Sequence, residues 1–323
     1  MNMPFTNDQA TPLYTILGAG GIIAKELTKE LLAHSKRVRL VGRNPQTTAG
    51  VAELVPADLT DYAQTLAAVK GATVVFLCAG LTYDHKVWGV AWPKIMDNVI
   101  NACKAAQARL IFFDNVYMYG LVNGKMTEDT PYHPSSKKGE IRARIASKLM
   151  EEVKAGNIRA SIARSADFYG PGASSTGILN MLVIDKLAKG SRAMWLGNDQ
   201  VTHSFTFTPD AGKGLFLLAE NKNTDNQVWH LPTTNPAPTG KAYINMIAAQ
   251  LNVKPRYMVM GGMMMRMAGW FDNTINEIRE MLYQNNYPYI FDATKFAQHF
   301  NYVPCSYEKG IQLTLEALHQ PPH

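Results

Sequence analysis

The sequence is short of cysteine, of long apolar runs and of concentrated charge. Its 323 residues hold three cysteines, Cys78, Cys103 and Cys305, without paired or metal-like spacing. That argues against a disulfide framework and for a reducing compartment. No apolar run approaches the roughly 18 residues of a membrane span. The polar stretch 1–11 lacks the apolar centre of a secretion signal, so a cytoplasmic protein without membrane contact is expected. Charged residues make up 18%, and the net charge of +6 is scattered, with Lys36-Arg37 and Lys137-Lys138 the only short basic clusters outside helical spacing. Such a distribution suits a small anionic ligand better than a nucleic acid. The eight histidines show no ligand spacing, so no metal site is expected.

What is present begins at Tyr14-Thr15-Ile16-Leu17-Gly18-Ala19-Gly20-Gly21-Ile22-Ile23-Ala24. A β-branched and apolar run stops at a glycine cluster, and a helical pattern starts at once. A nucleotide diphosphate requires that order: glycines turn the backbone tightly, and a helix N-terminus offers free N–H groups and a positive dipole end. The spacing is Gly18-x-x-Gly21-x-x-Ala24 rather than G-x-G-x-x-G, with a small residue kept at 24 for close packing of helix on strand.

Strands and helices then alternate. Strands are expected at 13–17, 38–41, 53–56, 73–78, 109–113 and 159–163. Helices are expected at 22–33, 61–69 (capped by Thr60), 88–108 (interrupted at Pro93) and 138–152. This alternation predicts an α/β fold, a Rossmann-type doubly wound parallel sheet with a smaller, mixed, mainly helical C-terminal lobe. The cofactor domain is placed at 1–169, with 200–232 returning to it, and the substrate lobe at 170–323. Within 200–232, residues 201–207 read as one strand with His203, Phe205 and Phe207 on a common face. The methionines of 263–267 read as core packing.

The end of the second strand decides cofactor type. An NAD site usually carries Asp or Glu there for the ribose 2′-OH, whereas this chain has Gly42 and Arg43. Arginine suits a 2′-phosphate, which favours NADP and leaves NAD as the alternative. Asp58 and Leu59 follow the third strand, where a carboxylate can accept from an adenine amino group. Cys78-Ala79-Gly80 end the fourth strand with side chains small enough for backbone to lie against a cofactor.

Gly18-x-x-Gly21-x-x-Ala24, Asp58-Leu59, Cys78-Ala79-Gly80, Tyr119-Gly120 and Arg164-Ser165-Ala166-Asp167-Phe168-Tyr169-Gly170-Pro171-Gly172 occur in an order that resembles the extended short-chain dehydrogenase/reductases. These are the NAD(P)-dependent nucleotide-sugar epimerases and dehydratases. The resemblance spans roughly 13–220. It implies a cofactor contact through Gly18, Gly20, Gly21, Ile22, Ile23, Ala166 and Phe168, a small polar substrate near Tyr169 and His203, and a homodimer through the helices at 88–108 and 138–152. Family members also place Ser or Thr after the fifth strand, then a Tyr-x-x-x-Lys pair on the next helix. The Tyr is the acid/base, and the Lys holds the nicotinamide ribose.

Here the Ser/Thr position counts to Asn115, Lys148 matches the lysine, and Arg144 stands at the tyrosine. Arginine stays protonated, so it is no acid/base near neutral pH. Three readings follow: Tyr117 supplies the proton beside Asn115, the protein is a non-catalytic NADP sensor of the NmrA-like type, or Arg144 holds an anionic substrate group.

Overall fold

The computed structural model describes residues 11–46, 49–270 and 273–318. The polar stretch 1–11 lies outside them apart from Thr11. Strand β1 (Leu13–Leu17) leads into α1 (Ile22–Ala33), followed by β2 (Arg37–Gly42), β3 (Glu53–Pro56), α2 (Tyr62–Val69), β4 (Val74–Leu77), α3 (His85–Ala106) and β5 (Arg109–Asp114). Next come β6 (Lys125–Met126), α4 (Lys137–Lys154), β7 (Ala160–Arg164), β8 (Asp167–Tyr169), α5 (Asp185–Ala188), β9 (Ala193–Leu196), β10 (Phe205–Phe207), α6 (Thr208–Glu220) and β11 (Val228–His230). The last described elements are α7 (Gly240–Gln250), β12 (Tyr257–Met260), α8 (Gly262–Ala268), α9 (Asn273–Arg279), α10 (Tyr283–Asn286), β13 (Ile290–Phe291), α11 (Thr294–Phe300) and α12 (Tyr307–Leu318).

Seven strands form one parallel sheet in the order β11-β7-β5-β4-β1-β2-β3. The chain winds outward from β1 in one direction, then crosses back to β4 and winds the other way. The central strands are buried along their length, and alternate residues serve opposite faces. Leu17, Val75, Leu77 and Phe112 meet Trp88, Trp92, Ile145 and Leu149 from α3 and α4 on one side. Ile16, Phe76 and Ile111 meet Ile23, Leu27 and Leu215 from α1 and α6 on the other. A third core lies in the C-terminal lobe, around Tyr169, Trp195, Phe205, Phe207, Tyr243 and Ile311. Among the described residues no helix is long and apolar enough to cross a membrane.

Four local expectations are corrected. Helix α2 is capped by Asp61, whose Oδ1 accepts from the Gln64 amide at 3.0 Å, because Thr60 is engaged with Asp58. Helix α3 runs through Pro93 unbroken. Trp88, Trp92, Ile95 and Met96 pack into the core on both sides of that residue, which outweighs the lost backbone bond. Of 201–207 only Phe205–Phe207 is strand, while Thr202 and His203 make isolated bridges to Thr239 and Tyr289. The methionine run is not core: α8 lies on the surface of the lobe, Met265 is buried, and Met263, Met264 and Met267 are exposed.

Candidate active site

The crevice forms where the sheet reverses its winding, at the carboxyl ends of β1 and β4. Gly18 has φ +97°, and a Cβ there would lie 2.4 Å from the Ala79 Cα, so only glycine lets the two strand ends touch backbone to backbone. The Gly18 and Ala19 amides donate to the Val41 carbonyl at 2.9 and 3.0 Å, which fixes the turn to β2. Gly21 caps α1 without a side chain, so the first amides of the helix remain open to a ligand. No atom lies within 4 Å of where a Gly20 Cβ would be. Ile22 is half-buried at the rim, beneath Gly172, and Ile23 is buried, so Ile23 can offer a ligand only its backbone.

Beyond β2, Arg43 is exposed and makes no ion pair among the described residues. Its charge reaches the neighbouring Asp58. The Asp58 carboxyl is held below the ordinary range by bonds from Thr60 N (2.9 Å) and Oγ1 (2.8 Å), helped by Arg43 and Lys94. Leu59 is buried, and its carbonyl accepts from Asn98 Nδ2 at 2.9 Å. Cys78 is buried and its thiol is pushed up to about 12 by burial, whereas Ala79 is half-buried and Gly80 exposed. Ala166 is buried, its amide donating to Thr206 Oγ1 at 3.1 Å. Phe168 packs on the cluster that contains Ile23 and Cys78.

The chemical end is built by β5 and the start of α4. Asp114 closes β5 and accepts from the Asn115 amide at 2.9 Å. Asn115 Oδ1 in turn accepts from the Tyr117 amide at 3.0 Å and stabilises the single turn at Tyr117–Tyr119. The Tyr117 hydroxyl lies 3.3 Å from that of Tyr83, and its ring stacks on Trp88 at 6.3 Å. Burial and the nearby Asp167 charge push the Tyr117 hydroxyl well above its ordinary range. Ser136 caps α4 through the Gly139 amide at 3.0 Å. A Cβ on Gly139 would lie 2.5 Å from the Tyr117 carbonyl, so glycine brings the first turn of α4 directly onto Tyr117.

The helix phase on α4 overturns two sequence expectations. Lys138, Arg142, Ile145, Ala146 and Leu149 are its buried residues nearest the crevice and core. Arg144 lies two residues from Arg142 and Lys148 six, which turns them about 200° and 240° around the helix from it. Lys148 therefore pairs with Asp97 at the surface, both side chains nearly half exposed, and Arg144 is exposed, its guanidinium 3.5 Å from the Gly89 carbonyl. Neither reaches the crevice. The inward pair with four-residue spacing is Lys138-x-x-x-Arg142.

Lys138 is fully buried, its ammonium 4.7 Å from the Tyr83 ring centre. It is ion-paired with Glu277, and with Glu280 at 2.8 Å. Arg142 donates from Nε to Asp114 Oδ1 at 2.7 Å and lies over Trp92 at 4.4 Å. Asp84, His85 and Glu277 bring ligand-type atoms within 4.8 Å of one another. Glu277, however, is committed to Lys138 and His85, and Asp84 to the first amides of α3. Tyr169 is also displaced from expectation: it is wholly buried in the third core, with its hydroxyl against Gly310. His203 is buried, stacked on Tyr289 at 4.3 Å, with Nε2 2.9 Å from Asp167 Oδ2. Lys138, Tyr83 and Asp114 were missed. The Ser136 cap would have set the phase of α4 and so found Lys138.

A sequence model of the NAD-dependent epimerase/dehydratase family matches residues 14–231, so the chain belongs to that family. A sequence comparison with curated proteins found no match. Among solved structures, the UDP-glucuronic acid 4-epimerase of Bacillus cereus in complex with NAD is 17% identical, with a TM-score of 0.76 over 95% of this chain and 98% of that one. The dTDP-glucose 4,6-dehydratase of Bacillus anthracis, also with NAD, is 13% identical, with a TM-score of 0.77 over 95% and 96%. The UDP-glucose 4-epimerase of Thermus thermophilus with NAD is 16% identical, with a TM-score of 0.75 over 94% and 98%. At these identities the likeness establishes the shared fold.

Proposed function

We propose that the protein is an NAD(P)-dependent oxidoreductase of epimerase/dehydratase type acting on a small polar substrate, with nucleotide sugars the foremost class. The observation that carries this reading is the uncapped N-terminus of α1 at the sheet's reversal, with the half-buried Tyr117 and Tyr83 beside the buried Lys138 at the other end of the crevice. The open glycine turn fits a dinucleotide. The amides of Gly20, Ile22 and Ile23 would hold its diphosphate, with Gly18 and Gly21 shaping the turn around it, Asp58 and Leu59 its adenine, the backbone at 78–80 its middle, and Ala166 and Phe168 its nicotinamide. When bound, that group supplies hydride acceptance and return. Tyr117 is the proton donor, oriented by the Tyr83 hydroxyl 3.3 Å away, whose ring in turn faces the Lys138 ammonium. Asn115 has its oxygen on the Tyr117 amide, which leaves its amide nitrogen to donate to substrate. A homodimer through the outward faces of α3 and α4, where Val90, Arg144 and Lys148 are exposed, belongs to the same reading.

Arg43 favours NADP, because the end of β2 carries no carboxylate for a ribose hydroxyl. Arg43→Ser is expected to weaken NADPH binding about tenfold, roughly the loss of one charge-assisted bond, and to leave NADH binding unchanged. Equal loss for both cofactors in a fluorescence titration would remove the preference. Tyr117→Phe should lower turnover about 10²- to 10⁴-fold, the contribution of a positioned acid, at constant cofactor affinity. Turnover that survives the change removes Tyr117 from the proton transfer. A second reading, an NADP-binding sensor, is favoured by one feature: Lys138 and Arg142 are both committed to carboxylates. Tight NADPH binding with no hydride transfer across UDP-glucose, UDP-glucuronate and dTDP-glucose would select it.

A further inference from the structure

We propose that α9 and α10 form a latch across the substrate side of the crevice, and that a carboxylate or phosphate group of the substrate opens it by taking Lys138 from Glu277 and Glu280. The inference rests on the crevice being the cofactor and substrate site.

Two carboxylates of this segment reach the crevice side. Glu277 pairs with the Lys138 ammonium, accepts from the His85 amide at 3.1 Å and faces His85 Nδ1 at 2.7 Å. Glu280 holds Lys138 through Oε2 at 2.8 Å and accepts from the Lys137 amide through Oε1 at 2.5 Å. The Glu277 carbonyl adds a third acceptor to Lys138 at 3.0 Å. The segment is thus tied to the N-terminal turns of α3 and α4, which flank Tyr83 and Tyr117. Burial opposes ionisation of Glu277, but bonds from Lys138 and His85 hold its carboxyl below the ordinary range.

The apolar support of α9 lies elsewhere. Ile275 and Ile278 are only partly buried, and they rest on the small cluster of Leu196, Met265 and Leu282 in the C-terminal lobe. Ion pairs, not a shared apolar core, therefore close α9 over the crevice. A fully buried ammonium left without a counter-charge strongly destabilises the fold. A latch of this kind opens at small net cost only when another anion takes the place of the departing one. Lys138 and the Lys137 amide then form a ready-made anion subsite, with the Lys138 ammonium 4.7 Å from the Tyr83 ring centre. A neutral ligand cannot make the exchange.

The test is amide hydrogen exchange on the full chain. Glu280→Gln leaves Glu277 on Lys138, so the fold is kept. It should speed exchange across 274–286 at least tenfold, with β1 and β4 unchanged. In the unmodified protein, inorganic phosphate and acetate should speed the same amides, whereas chloride at equal ionic strength should not. A response to phosphate alone or to acetate alone identifies which group the subsite takes. Unaltered exchange in Glu280→Gln overturns the latch, and an equal effect of chloride overturns anion recognition by reducing it to screening. NADPH binding, followed separately by fluorescence, tests the underlying site. Its loss alone would sink the cofactor reading without touching the exchange result.

Discussion

Asp114→Ala is expected to lower stability by about 3–5 kcal/mol and the melting temperature by roughly 4–7 °C. Asp114 is 1% exposed and is, among the described residues, the single carboxylate between two buried guanidinium groups, Arg142 (4%) and Arg164 (0%). Arg142 donates to it through Nε at 2.7 Å, and Arg164 Nε lies 3.7 Å away. Removing the anion strands two cations in the core. Arg164 keeps the Tyr119 and Tyr132 hydroxyls, and Arg142 keeps its aromatic faces, but neither offers an opposite charge. The pairing can be separated from packing by a cycle: Arg142→Leu on top of Asp114→Ala should recover part of the loss in urea melts. If the double variant loses the sum of the two single effects, the coupling is absent. The same carboxylate fixes the Asn115 amide, so the variant should also disturb the Tyr117 turn and lower any turnover beyond what folding explains.

The second large effect is acid sensitivity from His230. Its ring is fully buried, stacked on Phe291 at 4.1 Å, with Nδ1 2.8 Å from the Asp292 carbonyl and Nε2 2.8 Å from the Tyr119 hydroxyl. That geometry fits a neutral imidazole that donates from Nδ1 and accepts at Nε2. Burial first, then the Arg164 charge, push its pKa down to about 3 from the ordinary 6.5. The unfolded chain therefore binds a proton below pH 6.5 that the folded chain refuses until about pH 3. Stability is full above the upper value and falls by up to about 1.4 kcal/mol per pH unit within that window. Glu128 and Asp210, whose carboxyls burial raises, act in the opposite sense. Comparison with His230→Gln isolates the histidine: between pH 6.5 and 4.5 the unmodified protein should lose about 2–3 kcal/mol more than the variant. Parallel profiles would show that the imidazole accepts its proton in the folded state.

Both predictions involve groups that the linear sequence does not bring together. Asp114 and Arg164 are 50 positions apart, and Tyr119 and His230 are 111 apart. Parallel pairing of β5 with β7, and of β7 with β11, places them side by side. The latch has the same character, joining Lys138 to Glu277 and Glu280 across some 140 residues.

The amino-acid sequence determined the alternation of strand and helix, the glycine turn, and the order of motifs that marks the family. Each of these rests on local physics. Apolar periodicity sets element type, and φ above zero at Gly18 demands glycine. It could not fix the phase of α4. Counting from a matching lysine led to Arg144 and Lys148, whereas the Ser136 cap and the close approach at Gly139 set the helix two residues away, turning Lys138 and Arg142 inward. Only the tertiary structure decided that, because a helix face is chosen by what packs against it. Trp88, Trp92, Asp114 and the carboxylates of α9 and its neighbouring turn are contributed by distant parts of the chain.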